Sequence, residues 1–192
     1  VSSKINVALI YGSTRESRFC DTVARWAGNA IVDHGNFALD VIDPASLSLP
    51  ARHQRADNPG LAALRERITH ADAFVLVTPE YNHGYPAALK FLIDSVSEPW
   101  HAKPAGFVSY GGISGGLRAV EQLRLVLAEL HVVTLRDSVS FANVYDQFDA
   151  AGDLVRPEPA RRAMAILLAR LDWWARALRS ARYAAPYGKV AA

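Results

Sequence analysis

The stretch ALIYGSTRESRFCDTVARWAGNAIVDHG, residues 8–35, changes character in its middle. ALIY is an unbroken apolar run, the pattern of a strand covered on both faces. From Phe19 to His34 the apolar residues recur at helical spacing. Between them GSTRESR, residues 12–18, opens the helix. A loop in that place gathers free backbone N–H groups at the positive end of a helix, which suits an anion. Ser13, Thr14 and Ser17 add hydroxyl donors, while Arg15 and Arg18 add charge. A guanidinium can grip a phosphate through two donors. Gly12 stands alone and no lysine precedes a Ser or Thr, so the loop is neither G-x-G-x-x-G nor Walker A. Bulky residues would keep a diphosphate away from the backbone, and a single terminal phosphate fits better. The competing reading is a helix cap by Ser13, Thr14 or Ser17 with arginines at the surface. The position after a buried strand favours the anion.

Outward from this stretch the chain alternates strand and helix. Strands are expected at 5–11, 38–42, 73–78, 105–110 and 132–139, and helices at 19–34, 59–70, 86–97, 116–130 and 159–182. VALIY, FVLVT and GFVSY are nearly continuous apolar runs, as in a parallel sheet. Five strands alternating with five helices predict a doubly wound α/β sheet with helices on both faces. Ligands of such sheets sit beyond the carboxyl ends of the strands, where strand order reverses. The loops after the first, third and fourth strands are therefore the candidates for a site.

After FVLVT comes PEYNHGYPAALKFLID, residues 79–94. Pro79 and Pro86 stiffen it, and Gly84 permits an unusual backbone angle. Tyr81, His83 and Tyr85 offer flat surfaces beside polar edges. Such a loop can present amides to the edge of a planar ring; packing of its aromatics on the next helix is the alternative. After GFVSY comes GGISGG, residues 111–116, whose four glycines let backbone approach a ligand closely or make a mobile linker. Together the loops offer a phosphate pocket, a planar-ring slot and a close glycine wall. A ribityl chain with one phosphate and a tricyclic ring, FMN, fills all three.

On these residues the chain resembles the NADPH-dependent FMN reductases, a family of flavodoxin-like fold. GSTRESR is similar to that family's phosphate loop, PEYNHGYPAALK to its P-E-Y-N-x-x-x-P-x-x-L-K ring loop, and KPAGFVSYGGISGGLRAVEQLR, residues 103–124, to its third segment. The resemblance covers about residues 5–140. It implies one flavodoxin-like domain over 1–192 with strand order 2-1-3-4-5. It implies that Ser13, Arg15 and Ser17 hold the phosphate and that Pro79, Glu80, Tyr81, Asn82 and His83 lie along the ring, mostly through backbone. Ser109, Gly111 and Gly112 would close the other side. Many members continue the first loop with S-x-N, where this chain has Ser17, Arg18 and Phe19, so Arg18 and Phe19 receive no role. The implied reaction has two halves: NADPH or NADH gives a hydride to flavin N5, and a flavin, quinone, azo compound or metal oxyanion takes the electrons from the same face. No side chain is assigned as catalytic. No cysteine or histidine stands at a plausible attachment point, so FMN is expected to be non-covalent.

Composition narrows the classes. The chain has 192 residues, and a chain of that size buries roughly 70% of its unfolded surface without needing staples. Its single cysteine, Cys20, excludes an internal disulfide and fits a reducing compartment. Cys20 at a helix start could be reactive, but without a resolving cysteine or nearby histidine a packed role is favoured. VSSKINVALIYGS does not read as a signal peptide, and no apolar run approaches the ~20 residues of a membrane span. A cytoplasmic protein without membrane contact is expected. His34, His53, His70, His83, His101 and His131 show no metal-ligand spacing. Seven arginines lie between Arg156 and Arg182, but no aromatics alternate with them as a nucleic-acid face would require; the solvated side of a terminal helix is favoured. An electron carrier of flavodoxin type would bind FMN without turning over a small substrate. Such carriers are usually strongly acidic, and the net charge of +2 argues against one. A non-enzymatic FMN-binding module is the other alternative. Finally, Leu89, Phe91, Leu92, Ile93 and Val96, and Leu117, Val120, Leu123, Leu125, Val126, Leu127 and Leu130, spread over more than one helical stripe. The excess calls for cover, and a homodimer or dimer of dimers beside the site supplies it.

Overall fold

A computed structural model describes residues 3–50, 52 and 58–190; His53 lies outside them. Its strands are β1 (Ile5–Tyr11), β2 (Phe37–Ile42), β3 (Ala73–Pro79), β4 (Pro104–Tyr110) and β5 (Val133–Phe141). All neighbours pair in parallel, in the order β2-β1-β3-β4-β5. Helices α1 (Cys20–Asp33), α2 (Pro59–His70), α3 (Ala87–Asp94), α4 (Leu117–Glu129) and α5 (Pro157–Ala184) complete the doubly wound, flavodoxin-like arrangement.

The period of two along β1 sorts the core into two layers. Ile5, Val7 and Leu9 face α1 and α5, packing with Val23, Ala27, Leu167 and Leu171. Ala8 and Ile10 face α2, α3 and α4, packing with Leu64, Leu92 and Leu123. β3 and β4 are buried at every residue, which is why their sequences read as unbroken apolar runs. Connections from β1 lead to β2 on one side, and β3 to β5 follow on the other. The order therefore reverses between β1 and β3, and their carboxyl ends flank the crevice.

Several boundaries differ from those expected. β5 extends to Phe141, because Ser140 and Phe141 still pair with Ser109 and Tyr110. α3 stops at Asp94, and the chain turns through a short 3-10 segment at Glu98–Trp100. Trp100 is fully buried there, its indole N–H donating to the Val96 carbonyl at 2.9 Å. α5 begins at Pro157, a residue suited to the first turn because its missing N–H has no partner to lose. α2 starts as its sequence suggests, with Pro59 in the first turn and Asn58 accepting from the Leu61 N–H.

The apolar excess of α3 is spent within the chain. Leu89, Leu92, Ile93 and Val96 are all buried against the sheet or Trp100. On α4, Leu117 and Leu125 remain 50% and 76% exposed, so any need for cover concentrates there.

Leu171 lies in the middle of α5 and is fully buried, whereas Trp173 on the same helix is 64% exposed. Leu171→Ala is expected to lower unfolding free energy by about 2–5 kcal/mol, and Trp173→Ala by about 0.5 kcal/mol or less. Urea unfolding of the two variants checks the contrast; equal losses would mean that α5 is not seated as described.

Candidate functional site

The first loop leaves β1 tight against β3. The Gly12 N–H donates to the Val77 carbonyl at 2.7 Å, and a Cβ on Gly12 would stand 2.7 Å from that same oxygen. Ser13 is consequently fully buried, and its hydroxyl lies 2.8 Å from the Tyr81 hydroxyl of the second loop. Arg15 places its guanidinium carbon 3.6 Å from the centre of the Tyr81 ring. Ser13, Arg15 and Tyr81, drawn from two loops 66–68 residues apart, thus form one contact group. Ser17 sits at the outer turn with φ 50° and is exposed.

No serine or threonine caps α1. Its N-cap is Phe19, which makes no side-chain capping bond. Among the described residues the N–H groups of Thr14, Glu16 and Ser17 find no acceptor, so the first loop keeps free donors for an anion.

Arg18 is bound otherwise. Its guanidinium forms a two-pronged ion pair with Asp43 at the end of β2, an ion pair with Asp21 at 2.8 Å, and a bond to the Ser13 carbonyl. Arg18 therefore braces the loop from below. Its hydrogen bond with Asp43 raises its pKa further, despite burial. Burial alone would raise the Asp43 pKa, but Arg18 and the Ala45 N–H together hold it below the usual carboxylate range.

The second loop is a two-residue hairpin. Tyr81 N–H donates to the Gly84 carbonyl at 2.9 Å and Gly84 N–H returns to Tyr81 at 3.1 Å. The left-handed angles fall on Asn82 (φ 50°) and His83 (φ 68°), not on Gly84. Both central residues need positive φ in such a turn, and Asn and His tolerate it better than most. Gly84 is small for another reason: a Cβ there would meet the Gln122 amide oxygen at 3.1 Å. Gln122 donates to the His83 carbonyl at 2.8 Å and ties the hairpin to α4. Glu80 is tied there too. Its carboxylate, 7% exposed, pairs with the Arg118 guanidinium at 3.1 Å and accepts from the Arg118 N–H at 3.1 Å. A carboxylate so engaged positions backbone. Pro79 is buried as the last residue of β3, while Asn82 and His83 are exposed at the tip.

In the third loop the glycines divide their work. Gly115 and Gly116 adopt φ 60° and 84° and pack inward; a Cβ on Gly116 would stand 2.8 Å from the Tyr110 N–H nitrogen. Ser109 is fully buried, its hydroxyl donates to the Gly115 carbonyl at 2.8 Å, and its backbone lies in the sheet between Thr78 and Ser140. Gly111 lies beside Glu80, with 3.6 Å between its would-be Cβ and the Glu80 Cβ. Gly112 has nothing within 4 Å of that position and is the one glycine of the loop open to a close-approaching group. Residues 112–116 also spell G-x-S-x-G, but the Ser114 hydroxyl accepts from the Gly116 N–H at 3.3 Å and bonds no histidine among the described residues. It is not an activated nucleophile.

Beneath the loops, Cys20 is buried with its thiol directed at the Val77 carbonyl, 3.8 Å away. Burial pushes its pKa up, against a reactive thiolate. Tyr110 lies beside it, and burial first, then the neighbouring Cys20 thiol, raises the pKa of its buried hydroxyl. Among the described residues no group of three His, Cys, Asp or Glu side chains is placed to hold a metal.

Free donors beside Arg15, a flat Tyr81 hairpin and an open Gly112 fit the terminal phosphate and ring of FMN by the chemistry of the groups present. Residues 5–146 match the family described as NADPH-dependent FMN reductase. The chain belongs to that family, which is one of oxidoreductases. This family member is 37% identical over 123 residues to an NAD(P)H-dependent FMN reductase of Schizosaccharomyces pombe, covering 57% of the chain and 60% of that relative. It is 29% identical over 181 residues to a 2-hydroxy-1,4-benzoquinone reductase of Burkholderia sp, covering 90% of the chain and 97% of the relative. Its fold is shared with the flavoenzyme NAD(P)H:(acceptor) oxidoreductase FerB of Paracoccus denitrificans, with a TM-score of 0.71 and 22% identity over 88% of this chain and 97% of that one.

Asp43, Arg118 and Gln122 are parts of the site frame that the motifs alone did not reveal. Asp43 carries a signal only in hindsight, as a carboxylate ending β2 at the height of the first loop.

The Arg18–Asp43 pair gives a pH prediction. Because the folded Asp43 pKa is depressed, the pair's stabilisation is fully present above the unfolded value of about 3.9 and lost as pH falls through the folded one. Asp43→Asn should therefore be less stable than the native chain at pH 7, with the gap narrowing below about pH 4. Paired denaturation curves across pH 2–7 test it; a gap independent of pH would exclude the ion pair as its source.

Proposed function

We propose that residues 1–192 form one FMN-binding domain that passes electrons from NADPH or NADH to a small acceptor in two successive half-reactions. The observation that carries the reading is the union of an uncapped, donor-rich loop with the Tyr81 hairpin and the open Gly112, at the point where strand order reverses. FMN would be held without a covalent link. Ser13, Arg15, Ser17 and the loop N–H groups would take its phosphate. Backbone of Pro79, Glu80, Tyr81, Asn82 and His83 would edge the ring on one side, and Ser109, Gly111 and Gly112 on the other. When bound, FMN supplies the hydride chemistry. The protein binds, orients and shields. Glu80 stays paired with Arg118, so no side chain of the frame is assigned a proton transfer.

The acceptor would be a flavin, quinone, azo compound or metal oxyanion; the names of the relatives support the first two. No helix among the described residues is long and apolar enough to cross a membrane, and the single buried cysteine suits a reducing cytoplasm. Ile113, Leu117 and Leu125, exposed beside or along α4, support a homodimer or a dimer of dimers with flavin sites at the interface.

A purified preparation is expected to be yellow, to release its flavin on heating or acidification, and to consume NAD(P)H only when an acceptor is added. A yellow protein without turnover would leave the carrier reading; a colourless one that cannot be loaded would exclude both. Among the described residues Arg15 pairs with no carboxylate. Arg15→Ala should weaken FMN binding by about 1.5–3 kcal/mol, the scale of a charge-assisted hydrogen bond, in flavin fluorescence titrations. Unchanged affinity would remove Arg15 from the phosphate site. Light scattering at micromolar concentration should give a dimer or tetramer mass; a monomer with flavin bound and full activity would refute the interface.

A further inference from the structure

At the amino ends of the strands, on the edge opposite the flavin loops, lies a cleft of about 620 Å³. Its charges are unbalanced. Lys4, Lys103, Arg179 and Arg182 line it against one carboxylate, Asp72, with His70 and Tyr183 alongside. Asp72 is fully engaged: it accepts from the Asn6 N–H at 3.1 Å, from Arg179 at 3.1 Å and from Arg182 at 3.2 Å. Arg179 also donates to the Lys4 carbonyl at 3.0 Å, and Arg182 to the Ala102 carbonyl at 2.7 Å. Lys103, only 5% exposed, donates to the last carbonyls of α2, Ile68 at 2.7 Å and Thr69 at 3.0 Å.

Three cations are thus held rigidly, partly desolvated and close to one another, with a single shared anion. Burial, and then Arg182, push the Lys103 pKa down to about 7 against the pull of Asp72. Burial likewise lowers that of Arg182. A second anion would relieve this crowding. Arg179 spends its terminal N–H groups on Asp72, the Lys4 carbonyl and Ser3, so the donors for that anion are the remaining N–H groups of Arg182, the Arg179 Nε–H and the third ammonium proton of Lys103. The cleft is far larger than a bare phosphate and falls within the roughly 300–1,000 Å³ of small-molecule pockets.

We propose that this cleft binds a phosphate monoester, its dianionic head among Lys103, Arg179 and Arg182 and its organic part toward Lys4 and Tyr183. The site shares no residue with the flavin loops and stands or falls independently of the reaction proposed above.

The test is an NMR titration of the full chain with phenyl phosphate, inorganic phosphate and sodium chloride at matched ionic strength, following the His70 imidazole and Tyr183 ring signals. It is run with and without added FMN. Saturable shifts are expected with phenyl phosphate, weaker binding with inorganic phosphate and none with chloride. Arg15→Ala should leave the affinity unchanged, and Arg182→Gln should weaken it about tenfold or more. Lys4→Gln, at the exposed rim, offers a second variant with little risk to folding and a smaller expected loss. Equal affinity for the two phosphates would overturn the monoester assignment. Shifts matched by chloride, shifts insensitive to Arg182→Gln, or no shift at either ring would overturn the site.

Discussion

The carboxyl edge of the sheet depends on how closely the chain leaves β1 against β3. The Gly12 N–H reaches the Val77 carbonyl at 2.7 Å, and the space a side chain would need is filled by that oxygen. Because nothing separates the two strand ends, Ser13 falls under Tyr81 and Cys20 under Val77. Two loops almost seventy residues apart become one surface. A single methyl group at Gly12 would push them apart, by overpacking against backbone that cannot rotate away.

Once joined, the loops are held from three other directions. Asp43 grips Arg18 from just past the end of β2, Arg118 grips Glu80 from the start of α4, and Gln122 grips the hairpin tip one turn later. The two clamps on α4 tie irregular backbone to a regular element, which keeps it within the tolerance a binding site needs. The Glu80–Arg118 pair matters most where it is least exposed. Removing the arginine would leave a nearly buried carboxylate with only the backbone N–H of residue 118 as partner, although the exposed side of the pair is screened by solvent. The positive φ angles at Asn82 and His83 are maintained by the same contacts, so local strain is balanced by tertiary bonds.

Layer architecture was legible, and so was the place of the candidate loops at the carboxyl edge, because both rest on short-range patterns. FVLVT and GFVSY are apolar throughout since both faces of β3 and β4 are covered, and the loops that follow them carry the glycines and prolines that close turns demand. What the pattern could not reveal was pairing. Nothing around Arg18 distinguishes a phosphate ligand from a brace until Asp43, 25 residues on, is placed beside it. Gly84 looked like the flexible point of its loop, yet a two-residue hairpin assigns the unusual angles to its two central residues, Asn82 and His83. The resemblance sets Ser109 beside the ring, but its hydroxyl is spent on the carbonyl of Gly115. The apolar excess of α3 pointed outward only on a straight helix of expected length. With the helix ending at Asp94, Val96 and the chain to Trp100 fold under it.

A division of labour follows. Residues that fix the frame, among them Gly12, Ser13, Glu80, Ser109 and Gly115, are buried or nearly so, and their polar groups are largely satisfied within the chain. Those that face outward, Asn82, His83, Gly112, Ile113 and Leu117, are exposed, and among the described residues they place no carboxylate or metal-ligand cluster over the crevice. On the proposed reading such a face suits planar or compact acceptors of many kinds, because shape and stacking admit them while no fixed donor rejects them. Selectivity would then have to come from whatever covers Ile113 and Leu117. On that reading the frame would stay constant while the surface laid over it would decide which acceptor enters.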